Sequence, residues 1–440
     1  MPDEFRHAIP PTLGHPAAGR FWLALTLTGV GTGIGAAALT RLLYFVQHLA
    51  WPGHGNDLLR SAENASAARH VLALLVAGVV TGVGQLVLRR LSSGNGIDTT
   101  EAIWFHAGRM PALRTIGSAV LSVLIVALGA PLGREGAPKQ AGSVIAGLVS
   151  DRVRLSDEQR RLLVACGAGA GMGAAYGVPL GGALFSLEVM RGILGLRYVL
   201  PALVTSVLAT AVSWVWLPDA PTYVIPGYVS STSAVAWALL AGPVAGAVSV
   251  LYVRLVRWAD HSRPRGWRRV VAPLGILGAV GVVSIWFPQL LGNGKDFSQV
   301  AFTTPLSPGL LLVLLALRPA ATLLGIASGA PGGLFTPSLT VGAILGALLG
   351  HAWSWIWPGI PPGLFALLGA GAVLAATTQG PISAVVLLME LTGRDRSFIL
   401  PLLLMVGTAT LVSRSIEPRS IYEARLSDEE VAARQALRDR

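Results

Sequence analysis

Charged residues inside apolar stretches are the residues of this sequence with the greatest capacity for chemistry. A charge at the centre of a bilayer costs about 2.5–3.5 kcal/mol on insertion scales, so such residues are usually functional. The residues in question are Asp98, Glu101, Arg134, Glu135, Lys139, Glu188, Lys295, Asp296, Arg318 and Glu390. The histidines are scattered without the spacing of metal ligands, so we predict no metal site and no cofactor.

The segment Gly133-Arg134-Glu135-Gly136-Ala137-Pro138 separates two apolar runs and predicts a helix that begins inside the membrane. Pro138 suits the first turn of that helix, where a missing N–H breaks no hydrogen bond. The free N–H groups and the positive end of the helix dipole attract an anion. We predict that Glu135 supplies this negative charge or yields its place to a mobile anion. The alternative is a structural cap in which Arg134 pairs with Glu135.

The segment Gly332-Gly333-Leu334-Phe335-Thr336-Pro337 has the same form in the second half of the chain. The backbone amides of Leu334 and Phe335 precede a helix with a proline in its first turn, and they offer a second set of free N–H groups. Two opposed helix N-termini bind an anion weakly and release it quickly, because they lack the deep trap of a cation. The alternative is a glycine-rich corner for helix packing.

The triplet Gly94-Asn95-Gly96 is a third break in apolar sequence. In a soluble protein it would usually be only a turn. Here it predicts the start of a short helix from Ile97 to Phe105, with the Asn95 side-chain amide available to an anion. Its counterpart in the second half, Asn293, fits a structural role.

The overall composition requires a membrane environment for these elements. Of the 440 residues, 53% are hydrophobic and 12% are charged, and the mean hydropathy is +0.63. Soluble domains are about 25% charged, so a soluble enzyme is nearly excluded, as is a nucleic-acid partner despite the net charge of +11. The 53 glycines and 28 prolines favour a channel or transporter built from closely packed and broken helices.

The breaks recur in both halves of the chain, which indicates an internal repeat. Glu188 and Glu390 each stand nine residues after a proline, and this duplication favours a helix-end or packing role over a catalytic one. The matched segments lie 198 to 202 positions apart: Gly94–Gly96 with Gly292–Gly294, Pro138 with Pro337, Gly167–Ala170 with Gly369–Ala372, Pro179 with Pro381, and Glu188 with Glu390.

The basic residues predict opposite orientations for the two repeats. The connector 151–161 carries four arginines, whereas its counterpart 353–363 has no basic residue and three tryptophans. Basic loops stay in the cytoplasm, and tryptophan collects at interfaces. We therefore predict an all-α membrane protein with two inverted repeats of tilted and broken helices. The predicted divisions are a cytoplasmic segment 1–19, repeat one at 20–215, an extracytoplasmic link at 216–234, repeat two at 235–413, and a cytoplasmic tail at 414–440 that includes Tyr422.

Three ordered motifs and the inverted repeat resemble the CLC family of chloride channels and chloride/proton exchangers, over about residues 20–426. Family members carry Gly-Ser-Gly-Ile-Pro, Gly-Arg-Glu-Gly-Pro and Gly-x-Phe-x-Pro, and then a tyrosine near the end of the membrane domain. The corresponding segments are Gly94-Asn95-Gly96-Ile97-Asp98, Gly133-Arg134-Glu135-Gly136-Ala137, Gly333-Leu334-Phe335-Thr336-Pro337 and Ile421-Tyr422-Glu423-Ala424. The chain resembles the compact bacterial form, without a tandem nucleotide-binding domain after Tyr422.

The resemblance implies roles for these residues. Glu135 resembles the gating glutamate, whose carboxylate occupies the anion path until it is protonated or displaced. Tyr422 resembles the hydroxyl donor at the inner constriction. The implied anion ligands are Asn95, Gly136, Leu334, Phe335 and Tyr422, and the helix-terminus residues are Gly94, Gly96, Gly133, Arg134, Gly333 and Pro337. The family fold is a homodimer with one pore per subunit, so we expect a homodimer in the bacterial inner membrane with both termini in the cytoplasm.

The chain departs from the family pattern at several positions. Asn95 and Asp98 replace the family's serine and proline, which leaves the anion preference open, and we expect Asp98 to cap its helix and face away. Lys139 is unusual and is expected to pair with Asp98 or Glu101. Exchangers carry a second glutamate where this chain has Val189, as the family's channels do, so the inner proton-route position is lost.

We therefore predict transport of chloride or another small monovalent anion through a path gated by Glu135, channel-like or weakly coupled to protons. A chloride/proton antiporter with a different inner proton route is the alternative, and a cation-coupled solute symporter is the alternative from another class. An intramembrane enzyme is disfavoured, because the nearest serine pattern, Gly325–Gly329, departs from a nucleophile motif.

Overall fold

The chain folds into apolar helices that are separated by glycine- and proline-rich breaks. A computed structural model describes residues 18–53, 55–91, 98–394, 397–424 and 426–438, and no strand forms among them. The first half contains α1 (Ala18–Ala50), α2 (Leu58–Glu63), α3 (Ala67–Leu91), α4 (Thr99–Phe105), α5 (Ala112–Ala127), α6 (Gly136–Val153), α7 (Asp157–Tyr176), α8 (Pro179–Phe185) with a π-helical turn (Ser186–Arg191), and α9 (Leu196–Ser213). The second half contains α10 (Thr232–His261), α11 (Arg268–Val283), a 3-10 turn (Pro288–Leu290), α12 (Lys295–Thr303), α13 (Pro308–Ala327), α14 (Phe335–Ile356), α15 (Pro362–Thr378), α16 (Pro381–Thr392) and α17 (Ile399–Ile416). A second 3-10 turn (Ile421–Glu423) and α18 (Asp428–Arg438) follow.

Long spans and short broken helices occur together in this fold. Among the described residues, seven helices are long and apolar enough to cross a membrane, namely α1, α3, α9, α10, α13, α14 and α17. The helices α4, α8, α12 and α16 are much shorter, at 7 to 12 residues. Helices of this length cannot span the roughly 30 Å hydrocarbon core. The predicted all-helical, multi-pass membrane fold is therefore confirmed.

Local sequence explains where the short helices and the central helices begin. Asp98 has an extended backbone, and its side chain accepts a hydrogen bond from the N–H of Thr100 at 3.0 Å. This cap starts α4 at Thr99 rather than at the predicted Ile97. Pro138 and Pro337 each occupy the third position of their helices, α6 and α14, as the breaks in the sequence indicated.

Glycines let equivalent helices touch in both halves. A Cβ on Gly142 of α6 would lie 2.0 Å from the carbonyl oxygen of Gly167 in α7. A Cβ on Gly342 of α14 would likewise lie 2.4 Å from the carbonyl oxygen of Gly369 in α15. Only glycine permits such approaches, which are typical of membrane helix crossings. The internal repeat read from the sequence thus recurs as a repeated helix contact.

Glu188 and Glu390 each cap the N-terminus of a helix in the other repeat. The Glu188 carboxylate, in the π-helical turn after α8, accepts hydrogen bonds from the N–H groups of Ile382 at 3.2 Å and Ser383 at 2.6 Å, at the start of α16. The Glu390 carboxylate, in α16, accepts from two N–H groups at the start of α8, at 3.0 and 2.6 Å. Negative charge at a helix N-terminus is favourable. The predicted helix-end role of both glutamates is confirmed.

Glu188→Ala is expected to lower the stability of the protein by about 1–3 kcal/mol, because it leaves buried N–H groups of α16 without an acceptor. The measurement is the unfolding temperature of the detergent-purified protein. Glu63→Ala, on an exposed position of α2, is the matched control and should leave the unfolding temperature unchanged. An unchanged unfolding temperature in both Glu188→Ala and Glu390→Ala would contradict the reciprocal capping.

Ion pairs join the basic connectors and the C-terminal tail at one end of the molecule. Arg257, near the end of α10, contacts Asp428 of α18 at 2.9 Å, and Arg419 also pairs with Asp428. The hydrogen bond from Arg419 holds the pKa of Asp428 below its usual range. Arg191, after α8, contacts Glu158 in the first turn of α7 at 2.6 Å. This end carries the basic connector 151–161, from which we predicted a cytoplasmic position.

Candidate functional site

The two glycine breaks meet near the middle of the fold. The N–H of Gly133 donates to the carbonyl oxygen of Gly333 at 2.8 Å, and the N–H of Gly333 donates to the carbonyl oxygen of Gly133 at 2.7 Å. A Cβ on Gly136 would lie 3.1 Å from the nitrogen of Gly333. This pairing therefore brings the first residues of α6 and α14 together, one helix from each repeat.

The Glu135 side chain of the first break reaches the start of the opposite helix. Its Oε1 accepts a hydrogen bond from the N–H of Phe335 at 2.6 Å. Its Oε2 accepts from the hydroxyl of Thr336 at 3.1 Å and, at 3.5 Å, from the hydroxyl of Tyr176 at the end of α7. The side chain is only 3% exposed. The Glu135 carboxyl thus occupies a buried set of donors at the N-terminus of α14, the end at which a helix dipole favours negative charge.

Glycine lies on both sides of this carboxylate, and a side chain at either position would displace the Glu135 carboxylate. A Cβ on Gly133 would lie 2.0 Å from Glu135 Oε1, and a Cβ on Gly333 would lie 2.2 Å from the same atom. Real Cβ atoms do not approach other atoms so closely. The two glycines therefore define the space in which the carboxylate, or any ion that replaces it, is held.

Arg134 does not pair with Glu135 in the structure, so the alternative of a capping ion pair is wrong. Its guanidinium donates to the hydroxyl of Tyr44 at 2.9 Å. It also lies 4.8 Å from the centre of the Tyr176 ring and 5.6 Å from that of Tyr44, within the range of cation–π attraction. Arg134 thus holds Tyr176, whose hydroxyl faces Glu135, and leaves the carboxylate to its uncharged donors.

The family model described as Voltage gated chloride channel matches residues 73–414, which is most of the chain. The chain belongs to the voltage-gated chloride channel (CLC) family. Similar proteins include the H(+)/Cl(-) exchange transporter ClcA of Cronobacter sakazakii, 32% identical over 71% of this chain and 69% of that protein. The transporter of the same name from Yersinia pestis is 32% identical over 68% of this chain and 65% of that protein. The chain thus spans about two thirds of the length of these relatives.

Solved structures share the CLC fold. A slow cyanobacterial Cl−/H+ antiporter matches with a TM-score of 0.79 at 23% identity, over 94% of this chain and 98% of that one. A CLC-type fluoride/proton antiporter matches with a TM-score of 0.75 at 21% identity, over 93% and 98% of the two chains. At these identities the likeness shows a common fold.

Two donors to Glu135 in this CLC protein were missed by sequence analysis. Thr336 lies inside the second break, between the predicted ligand Phe335 and Pro337, and its hydroxyl was the available signal. Tyr176 ends α7 just before Gly177, and only its place at a helix end marks it in the sequence. The Leu334 N–H has no hydrogen-bond partner among the residues that the structure describes, so it remains available to a ligand.

Tyr422 is the hydroxyl donor that we predicted at the inner constriction. Its ring packs edge-on against Phe185 at 5.6 Å, and its hydroxyl has no hydrogen-bond partner in the described part of the chain. Lys139 lies over the same ring, with Nζ at 4.6 Å from the ring centre. The expected pairing of Lys139 with Asp98 or Glu101 is wrong, since Asp98 caps α4 and Glu101 faces a histidine. The predicted residues Gly94, Asn95 and Gly96 lie outside the described residues.

Val189 is the residue that we predicted at the lost inner proton-route position. Its side chain is buried against Gly380, and its carbonyl oxygen accepts a hydrogen bond from Arg434 of α18 at 3.0 Å. Arg434 also pairs with Glu423, which accepts the N–H of Ser420 at 2.6 Å. The Glu423 carboxylate is therefore already engaged, in a buried ion pair with Arg434 and in a hydrogen bond from the Ser420 N–H.

Proposed function

We propose that this CLC protein transports a small monovalent anion, such as chloride, and that Glu135 gates its path. The observation that carries the proposal is the seat of the Glu135 carboxylate, which is bound by the Phe335 N–H and the Thr336 hydroxyl at 2.6 and 3.1 Å. These neutral donors suit any compact monovalent anion. An anion that enters the path therefore competes with the carboxylate for the same place.

The arrangement also supports movement of the ion rather than permanent binding. Gly136 is the first residue of α6 and Leu334 directly precedes α14, and their amides add partial positive charge without a full cation. Binding must be strong enough for entry and weak enough for release. Protonation of Glu135 removes the competing charge, so it frees the seat for the anion and opens the outer side.

Val189 supports transport that is channel-like or only weakly coupled to protons. A proton needs a titratable acceptor on the inner side, and this position is a buried valine. The adjacent Glu188 binds the N–H groups of α16, and Glu423 pairs with Arg434. Neither carboxylate is placed as a free acceptor.

Chloride/proton antiport by another inner route is the second candidate. It is supported by the names of the relatives, which are H(+)/Cl(-) exchange transporters at 32% identity. The homodimer, the inner-membrane location and the cytoplasmic termini belong to the same proposal. They rest on the family resemblance and on the basic end of the molecule.

Paired chloride and proton fluxes in reconstituted vesicles test these proposals. We expect a chloride gradient to drive anion flux without stoichiometric uphill proton movement, because Val189 offers no inner proton acceptor. Sustained proton pumping against its gradient would instead establish the antiporter. Sodium-dependent uptake of an organic solute, with no anion flux, would contradict both candidates and favour the symporter. An anion series in the same assay ranks chloride against fluoride and nitrate.

A further inference from the structure

The turn between α10 and α11, together with the start of α11, is strongly basic. These residues, 262–272, contain four arginines and no acidic residue. The other basic connector, 151–161, also contains four arginines, but it has three acidic residues, and Arg160 pairs with Asp151 within it. The large excess of positive charge therefore belongs to the segment 262–272 and not to every basic connector.

Only two of these four arginines hold the turn together. Arg263 pairs with Asp260 at 2.6 Å, and the Nε of Arg269 donates to a backbone carbonyl oxygen of the turn at 2.9 Å. Arg265 and Arg268 are exposed, and neither forms a hydrogen bond or an ion pair with a residue that the structure describes. The charges of these two arginines are therefore available to a partner outside the described chain.

The turn borders two cavities at the surface of the protein. Arg265 and Arg268 line the first, which has a volume of about 810 Å³ and extends to Val271 of α11. The second has a volume of about 440 Å³ and reaches Arg89 at the end of α3. Six arginines and two aspartates line the two cavities, so positive charge is in excess and raises the local concentration of anions. The arginines are Arg89, Arg114, Arg263, Arg265, Arg268 and Arg269.

This basic surface lies where a membrane helix ends. The helix α10 is long and apolar enough to cross a membrane, and the turn follows directly after it. Trp258, in the last turn of α10, is 65% exposed, and Trp267, in the turn, is 72% exposed. Tryptophan collects at the level of the lipid headgroups. Val271, four residues into α11, is also exposed, so apolar surface begins directly beside the arginines.

We propose that Arg265, Arg268, Trp267 and Val271 form a binding site for an anionic phospholipid. The phosphate contacts the two guanidinium groups, each of which presents a planar fork of donors that fits two phosphate oxygens. The acyl chains lie against the exposed apolar surface of α11. Basic pockets at the ends of membrane helices bind anionic headgroups. A lipid uses the apolar surface beside the arginines, whereas a free phosphate ion cannot. The site is separate from Glu135 and does not rest on the proposed transport function.

A lipid at this place stabilises the packing of three helices. The cavities include the end of α10, the start of α11 and the end of α3. The last two helices pack closely, because a Cβ on Gly82 of α3 would lie 2.3 Å from the carbonyl oxygen of Val270 in α11. A ligand that binds the folded protein and not the unfolded chain raises the unfolding temperature. Anionic phospholipid should therefore raise the unfolding temperature of this protein.

Thermal unfolding of the purified full chain in micelles of a neutral detergent, titrated with phosphatidylglycerol, tests the site. Each arginine near the membrane surface contributes to the binding of anionic lipid. We therefore expect the double variant Arg265→Gln/Arg268→Gln to need about tenfold more phosphatidylglycerol than the wild type for the same rise in unfolding temperature. Arg152→Gln/Arg154→Gln is the matched control, because it removes two exposed arginines from the connector 151–161, and it should respond as the wild type does.

Phosphatidylcholine and sodium phosphate are the comparison titrants. The site is supported if phosphatidylglycerol raises the unfolding temperature of the wild type and the control, while phosphatidylcholine and phosphate do not, and if Arg265→Gln/Arg268→Gln loses this response. A wild type that does not respond to phosphatidylglycerol overturns the proposal. An equal response to sodium phosphate overturns it in favour of a free anion, and an equal loss in both double variants overturns it in favour of net charge alone.

Discussion

Glu135→Ala is expected to produce anion flux that no longer depends on pH, with chloride bound roughly tenfold more tightly than in the wild type. The wild-type carboxylate holds the Phe335 N–H and the Thr336 hydroxyl, and a transported anion must displace it. A hydrogen bond to a charged group contributes about 1.5–3 kcal/mol, and 1.4 kcal/mol corresponds to a tenfold change in affinity. Alanine leaves the donors open at every pH.

Vesicle flux between about pH 3.5 and 7.5, a range that covers the ordinary carboxyl pKa values of about 3.9–4.3 and the imidazole pKa of about 6.5, measures this effect. The wild type should gain flux as the pH falls, because protonation of Glu135 releases the seat. Glu101→Gln removes a carboxylate that faces His106 instead of the seat, and it should keep the wild-type profile. Anion flux in Glu135→Ala that matches the wild type at each pH would refute the gating role.

Gly333→Ala is expected to reduce anion flux by at least about tenfold, equivalent to 1.4 kcal/mol in the barrier. The added methyl group would lie 2.2 Å from Glu135 Oε1, inside the space shared by the carboxylate and the anion. Either the carboxylate leaves its donors and blocks the path elsewhere, or α6 and α14 separate and the donor set is lost. Gly133→Ala should act in the same way, since its methyl group would lie 2.0 Å from that atom.

Gly275→Ala is the matched control for these glycine variants. Nothing lies within 4 Å of a Cβ at this position in α11, and alanine favours a helix, so flux and folding should be retained. The double variant Gly333→Ala/Glu135→Ala should recover part of the lost flux, because the methyl group then has no carboxylate to displace. Wild-type flux in Gly333→Ala would show that this glycine does not define the anion space.

Several features of the protein can be predicted from its sequence because they depend on local chemistry. The hydropathy of each stretch decides whether it enters a membrane. Pro138 and Pro337 mark helix starts because proline is favoured in the first turn of a helix and the glycines before them interrupt the preceding apolar run. The duplicated Glu188 and Glu390 predicted a helix-end role through their repetition alone. The same motifs also predict the CLC family, because each motif combines particular residue types with a particular spacing.

The partners of the charged residues were decided by the tertiary structure. Adjacency in the sequence suggested that Arg134 could pair with Glu135, and the comparison with the family motifs suggested that Lys139 pairs with Asp98 or Glu101. In the fold, Arg134 turns to two tyrosines and Lys139 to Tyr422. Neighbours along a helix point in different directions, about 100° apart, so adjacency does not determine contact.

The sequence by itself determined a membrane protein of two inverted repeats, the starts of its central helices and its membership in a family of anion transporters. These features depend on residues within one turn or one segment of each other. Only the tertiary structure decided which donors surround Glu135, because Phe335 lies 200 positions away and Tyr176 lies 41 positions away. It also placed Lys139 over the Tyr422 ring instead of beside Asp98 or Glu101. Both outcomes depend on how helices from different parts of the chain cross, and that geometry is set by the packing of the whole fold.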